Sequence, residues 1–158
     1  MFEFSILSFA SGWIDVKISN EAKSIEIYNS QYLSNDALKI LLRNLNELAF
    51  NESGTKWLCW HGEPYAYIWK LDKLKDIIHY EIFEPENGSE NLMYEGIELA
   101  NEKVHEFLIS GETSFLDMYR KIYSFFEEYS DGDKLKDYER KWAVFPSEEF
   151  QKAKATLG

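Results

Sequence analysis

Hydrophobic and polar positions alternate at the start of the chain and shift to a helical period before residue 50. Phe2, Phe4 and Ile6 fall on one side of a short extended segment. Ile14, Val16 and Ile18 share one face of a second, with Asp15 and Lys17 opposite; Ile25 and Ile27 repeat the pattern with Ser24 and Glu26 turned outward. Period-two alternation of this kind marks half-buried strands, and Ser11-Gly12 and Asn20-Glu21 supply turns between them. Three short antiparallel strands are expected. Leu38, Leu41, Leu42, Leu45 and Leu48 then recur every third or fourth residue, the stripe of an amphipathic helix of about four turns. Ser34 or Asn35 is its expected cap, Asp36 adds negative charge to the first turn, and Asn51-Glu52-Ser53-Gly54 ends it.

A second β region is rich in aromatic residues. Trp57-Leu58-Cys59-Trp60 leads into a tight turn at His61-Gly62-Glu63-Pro64. Tyr65, Tyr67, Trp69 and Leu71 then alternate with Ala66, Ile68 and Lys70, and residues Ile77 to Phe83 read as a further strand. Pro85-Glu86-Asn87-Gly88-Ser89 reads as a surface loop, followed by one more expected strand over Leu92 to Leu99. The last third is helical. Phe115, Met118, Tyr119, Ile122, Phe125, Phe126 and Tyr129 form a wide stripe behind a Ser114/Asp117 capping pattern that Ser130-Asp131-Gly132-Asp133 closes. Leu135 and Tyr138 fit a further turn or two, and Ser147 is the expected cap of a final helix through Phe150 and Leu157, with Pro146 before it. The whole reads as one α+β domain over residues 1–158. It comprises an antiparallel sheet of about six to seven short strands, one long helix after the first three strands, and helices at the C-terminus.

Composition changes this picture mainly through charge. Lys and Arg total 17 against 28 Asp and Glu, a formal net charge of −11, and the stretch from Glu81 to Glu102 holds seven Glu and no Lys or Arg. A field of that sign repels nucleic acid and anionic lipid and attracts basic proteins. Aromatic residues reach 16%, enough apolar area to argue for a packed core despite the charge. No apolar run approaches the roughly 18–20 residues of a membrane span, and Met1-Phe2-Glu3-Phe4 lacks the basic and apolar regions of a secretion signal. The lone Cys59 forms no internal disulfide and suits a reducing compartment. A cytoplasmic protein is expected, monomeric or weakly dimeric, with neither nucleic-acid nor membrane partners.

Candidate chemistry is sparse. His61, His79 and His105 show no metal-helix spacing. Cys59, His61 and Glu63 alternate on one face and could converge, but a zinc site needs three or four ligands and this spacing is common by chance. Cys59 lies among large apolar residues with no cation to lower its pKa, which suits a structural thiol. The glycines are isolated, so no phosphate loop is present, and among 28 acids composition selects no catalytic pair. No catalytic residue, cofactor or metal is therefore assigned. The rings Trp57, Trp60, Tyr65, Tyr67 and Trp69 suit a sheet–helix core. The alternative is a small enzyme or ligand-binding module whose pocket they line, with His61, Glu63 and His79 as its polar groups. A third reading is an assembly protein that dimerises through a sheet edge.

Two clusters resemble a known group. Trp60-His61-Gly62-Glu63-Pro64-Tyr65-Ala66-Tyr67-Ile68-Trp69 is similar to a hairpin of small bacterial proteins carrying Trp, then Gly-Glu-Pro, then aromatics. Gly132, Tyr138, Trp142, Phe145-Pro146 and Phe150 resemble the tail of the same group, and the two pieces cover about a third of the chain. Some acidic α+β proteins of this type are immunity proteins of bacterial toxin–immunity systems, including contact-dependent inhibition. The resemblance implies binding and blocking of a cognate basic toxin domain, often a nuclease, and carries over no catalytic residue. An inhibitor of such a toxin should be acidic and should associate fast. On this reading Glu84, Glu86, Glu90, Glu95 and Glu98 form a charged rim around an anchor, Tyr94.

Overall fold

The three leading segments pair as expected in the computed structural model, which describes residues 1–31, 36–88 and 92–158. Ser34, Asn35 and Glu90 lie outside the described residues. β1 (Glu3–Ala10), β2 (Trp13–Ser19) and β3 (Ser24–Ser30) form an antiparallel sheet in that order. Ala10 pairs with Trp13, and both residues between them take positive φ, 53° at Ser11 and 78° at Gly12, the twist a two-residue hairpin requires. The second turn is held by the Asn20 side chain, whose Oδ1 accepts from the Ala22 and Lys23 amides at 3.0 Å.

Helix α1 (Ala37–Ala49) buries all five leucines of the predicted stripe. Its cap is Asp36 itself: Oδ1 accepts from Leu38 N at 3.1 Å and Lys39 N at 3.2 Å. The same oxygen accepts from Trp142 Nε1 at 2.8 Å. At the other end the buried Lys73 ammonium donates to Leu48 O at 3.0 Å and to Asn51 O, and lies 4.6 Å above the Phe115 ring. A cation placed on terminal helix carbonyls satisfies acceptors that the helix leaves open.

The remaining strands make a second sheet rather than extending the first, a correction to the single sheet expected above. β4 (Ser53–His61), β5 (Ala66–Leu74), β6 (Ile77–Pro85) and β7 (Val104–Ser114) pair antiparallel in sequence order. Its inner face carries Leu58, Trp60, Tyr67, Trp69, Leu71, Ile78, Tyr80, Ile82 and Ile109. These pack in one core with Ile14, Val16, Ile18 and Ile27 of the first sheet and with the helices. Asn20 Nδ2 bonds Tyr80 Oη and Ser110 O, both at 3.0 Å, and Asn29 Nδ2 bonds His61 O at 3.2 Å, so polar contacts also join the sheets.

Two more expectations are corrected. The segment from Leu92 to Leu99 is not a strand. It makes one isolated bridge, Glu95 to Leu58, and then a 3-10 turn at Ile97–Asn101, with Gly96 at a φ of 125° between them. This flap lays Leu92 and Leu99 over Cys59, Ala66, Ile68 and Phe83, a second small core on the outer face. The strand that does follow is β7, whose alternation is broken by a register shift opposite Ile82 and Phe83.

Helix α2 (Phe115–Glu128) starts as predicted, with Ser114 Oγ accepting from Asp117 N at 3.3 Å. α3 (Gly132–Lys141) and α4 (Ser147–Leu157) follow. Ser147 is the first helical residue rather than the cap: Pro146 holds that position without a side-chain bond, and Glu148 and Glu149 supply the negative charge of the first turn. Among the described residues no helix is long and apolar enough to cross a membrane.

Asp36 yields a pH prediction. Part of the residue is exposed, but its Oδ2 is buried with no hydrogen-bond partner among the described residues, and burial pushes its carboxyl pKa above the ordinary value. A raised folded-state pKa means that the native state binds the proton more tightly than the unfolded chain, so ionisation costs stability as pH climbs through that window. Asp36→Asn keeps the accepting oxygen and removes the charge. Urea denaturation should find it more stable than the parent at pH 7. That gap should close below about pH 4, near the unfolded carboxyl's value; a gap that widened on acidification would contradict the assignment.

Candidate partner-binding surface

Register places Glu84 of β6 directly opposite Glu106 of β7. Like charges facing across strands destabilise a sheet, so this arrangement costs the free protein something. Glu86 follows in the turn after β6, exposed, with its amide donating to Lys103 O at 2.9 Å. That turn rests on the β4–β5 turn: at Gly88, whose φ is +60°, an added Cβ would lie 2.6 Å from Pro64 O. The contact brings Glu63 and Tyr65, both exposed, to the same end of the sheet as Glu84 and Glu86. Behind them the Tyr28 ring meets Tyr67 edge-on at 5.5 Å and Tyr65 at 6.2 Å. Burial, followed by a bond with Tyr28 and the nearby charges of Tyr28 and Glu84, pushes the Tyr67 hydroxyl pKa up, so it keeps its proton at neutral pH.

The predicted rim residues therefore divide. Glu84 and Glu86 stand at the acidic end. Tyr94, Glu95 and Glu98 belong to the flap, which docks on the outer edge of β4 through Cys59 N to Tyr94 O at 2.8 Å and Gly96 N to Trp57 O at 2.9 Å. Glu95 is half-buried and engaged by Arg43 and by Asn44 Nδ2 at 3.0 Å, so its carboxylate latches the flap to α1. The Tyr94 ring packs edge-on against His61 at 5.2 Å, and Glu98 is exposed. From sequence, Glu63 and Tyr65 belong to the alternative pocket rather than to an acidic surface, and Glu106 is not singled out. Glu106 lies just past the Glu81–Glu102 run, and Glu63 joins the group only through the contact between turns.

Of the five rings expected in the sheet–helix core, Trp60, Tyr67 and Trp69 lie there, while Trp57 packs against the outer core and Tyr65 is exposed. Trp60, Tyr67 and Trp69 are buried, with the Trp60 and Trp69 rings 5.0 Å apart. Cys59 faces the second core, where burial pushes its thiol up to about 12 and leaves it un-ionised. His79 projects outward with Nε2 3.3 Å from Glu81 Oε1. Among the described residues, no three of the His, Cys, Asp and Glu side chains converge as metal ligands. The tail residues that carry the resemblance, Tyr138, Trp142, Phe145 and Phe150, are core residues too. Those residues therefore build the scaffold rather than a contact surface. In comparisons with known proteins, no family model, curated protein or solved structure matches this chain.

Proposed function

We propose that the protein is an immunity protein that binds a basic toxin domain, of the nuclease type whose positive surface serves polyphosphate binding, and blocks it by occlusion through the acidic end of the second sheet. The observation that carries this reading is the gathering of Glu63, Glu84, Glu86 and Glu106 beside exposed Tyr65. No ion pair joins any of these four carboxylates to a cation among the described residues. Like charges set opposite one another, as register sets Glu84 and Glu106, are relieved by a cationic partner, which gains both steering and complementarity. An aromatic ring ringed by charge is the usual form of an interface anchor. Glu98 on the flap extends the same sign of charge, whereas Glu95 is spent on Arg43.

The test is a binding experiment with a basic toxin domain encoded beside the gene. The triple variant Glu63→Lys, Glu84→Lys, Glu86→Lys should slow association by about tenfold or more at low salt and flatten its dependence on ionic strength. Glu95→Gln, which touches only the flap latch, should leave the association rate near that of the parent. Unchanged association after triple charge reversal would remove the proposed surface, and failure of any basic neighbour to bind would remove the immunity role.

A further inference from the structure

The outer face of the four-stranded sheet is only half covered. Residues paired directly across strands share a face, and the register sets Thr55, Asp72, His79 and Glu112 in one row. Thr55 Oγ1 bonds Asp72 at 2.8 Å within it. The next row is Trp57, Lys70, Glu81 and Ser110, with the Lys70 ammonium 5.5 Å above the Trp57 ring. The flap covers the row beyond these, at Cys59, Ile68 and Phe83. At the uncovered end Leu74 and Ile77 pair across the β5–β6 turn and stand 65% and 46% exposed. A groove of about 690 Å³ runs here, lined by this aliphatic pair with Asp72, Asp76, Glu112, His79 and Lys75.

We propose that this open face docks a basic amphipathic polypeptide segment. Its aliphatic side chains would lie on Leu74 and Ile77, and its lysines or arginines would meet Asp72, Asp76 and Glu112. The occupant follows from charge complementarity: three carboxylates and one ammonium border an exposed apolar pair, so an apolar segment without cations leaves the carboxylates unmatched. A second copy of this chain fits poorly, because a two-fold contact would set the same acidic row against itself. The surface is distinct from the acidic end carrying Glu84, since the two are about 23 Å apart along β6 at the usual rise per residue. The inference stands apart from the immunity reading and survives its failure.

Titration of the isotope-labelled full chain with three short synthetic peptides, followed by amide chemical shifts, tests the proposal. One peptide alternates Lys with Leu, one Lys with Ser at equal charge, and one Glu with Leu. The Lys/Leu peptide should perturb Leu74, Ile77, His79 and Glu112 and bind about tenfold more tightly than Lys/Ser, the value of burying part of two aliphatic side chains. Leu74→Ser combined with Ile77→Ser should abolish that tenfold advantage, and Glu112→Lys should weaken both basic peptides. The two aliphatic positions are exposed, so the spectrum of the double variant reports its intact fold alongside the binding. Shifts confined to the Glu63, Glu84 and Glu86 end, equal affinity for Lys/Leu and Lys/Ser, or tighter binding of Glu/Leu would each overturn the proposal. The first of those results would leave the acidic-end reading standing.

Discussion

Replacing Trp142 by Ala should remove about 4–5 kcal/mol of stability and lower the melting temperature by roughly 8–20 °C. Trp142 closes α3, is only 2% exposed, and joins the main core. Its indole N–H is also the third donor to Asp36 Oδ1, at 2.8 Å, so the residue at the end of α3 helps fix the start of α1. Around it Tyr138 meets Phe145 at 5.4 Å and Phe145 meets Phe150 at 5.5 Å, a chain of edge-to-face rings that ties α3 to α4. Truncation opens a cavity in that chain and strips the Asp36 cap of a donor. Trp142→Phe keeps most of the volume and loses only the donor, so it should cost about half as much. Urea melts of both variants separate packing from hydrogen bonding. A Trp142→Ala protein within 1 kcal/mol of the parent would show that the tail motif does not hold the helices together.

The second large effect should come from Asn46, a polar residue on the buried side of α1. Its Nδ2 donates to Glu149 O of α4 at 3.0 Å and its Oδ1 accepts from the Tyr119 hydroxyl of α2, so one amide links three helices. Asn46→Leu preserves approximate volume and leaves both partners buried without this bond, which should cost about 2–4 kcal/mol. Adding Tyr119→Phe removes one of the stranded groups. The double variant should therefore be less destabilised than the sum of the single changes, and a double-mutant cycle measures the difference. Strict additivity would mean that the two side chains act independently and that the junction is carried by apolar packing alone.

Both residues bear on function indirectly. The proposed partner surfaces lie on the second sheet and its turns, while Asn46 and Trp142 hold the helices together. A destabilised variant should lose binding only in proportion to the fraction unfolded. Charge reversal at Glu63, Glu84 and Glu86 should instead change association with little change in melting, since surface substitutions of this kind rarely exceed about 0.5 kcal/mol. These opposite patterns distinguish scaffold from contact surface in one set of variants.

The local elements were legible because their signals lie within a few neighbouring residues. The leucine stripe of α1, the alternation of β1 to β3, and the Ser114 cap of α2 follow from backbone periods of 3.6 and 2 and from the chemistry of a helix start. Where a local signal had two outcomes, neighbouring chain decided. Asp36 caps α1 through the amides of Leu38 and Lys39, and Trp142, distant in sequence, donates to the same oxygen. Leu92 to Leu99 carries enough apolar residues for a strand, yet its leucines were drawn onto the outer sheet face, which β4, β5 and β6 had left apolar. β7 escaped notice because its bulge breaks alternation and most of its side chains remain outside the core.

By itself, then, the sequence determined the α+β class, the aromatic core and the excess of carboxylate, since each is a property of composition or of short-range spacing. Only the tertiary structure decided that the strands divide into two sheets, that Glu95 is held by Arg43, and that Glu63 and Glu106 join Glu84 and Glu86 at one end. It alone left Leu74 and Ile77 bare beside an acidic row. Charge follows from which residues are present, but a surface depends on which of them strand register and turn contacts bring together, and those pairings join residues that no local period relates.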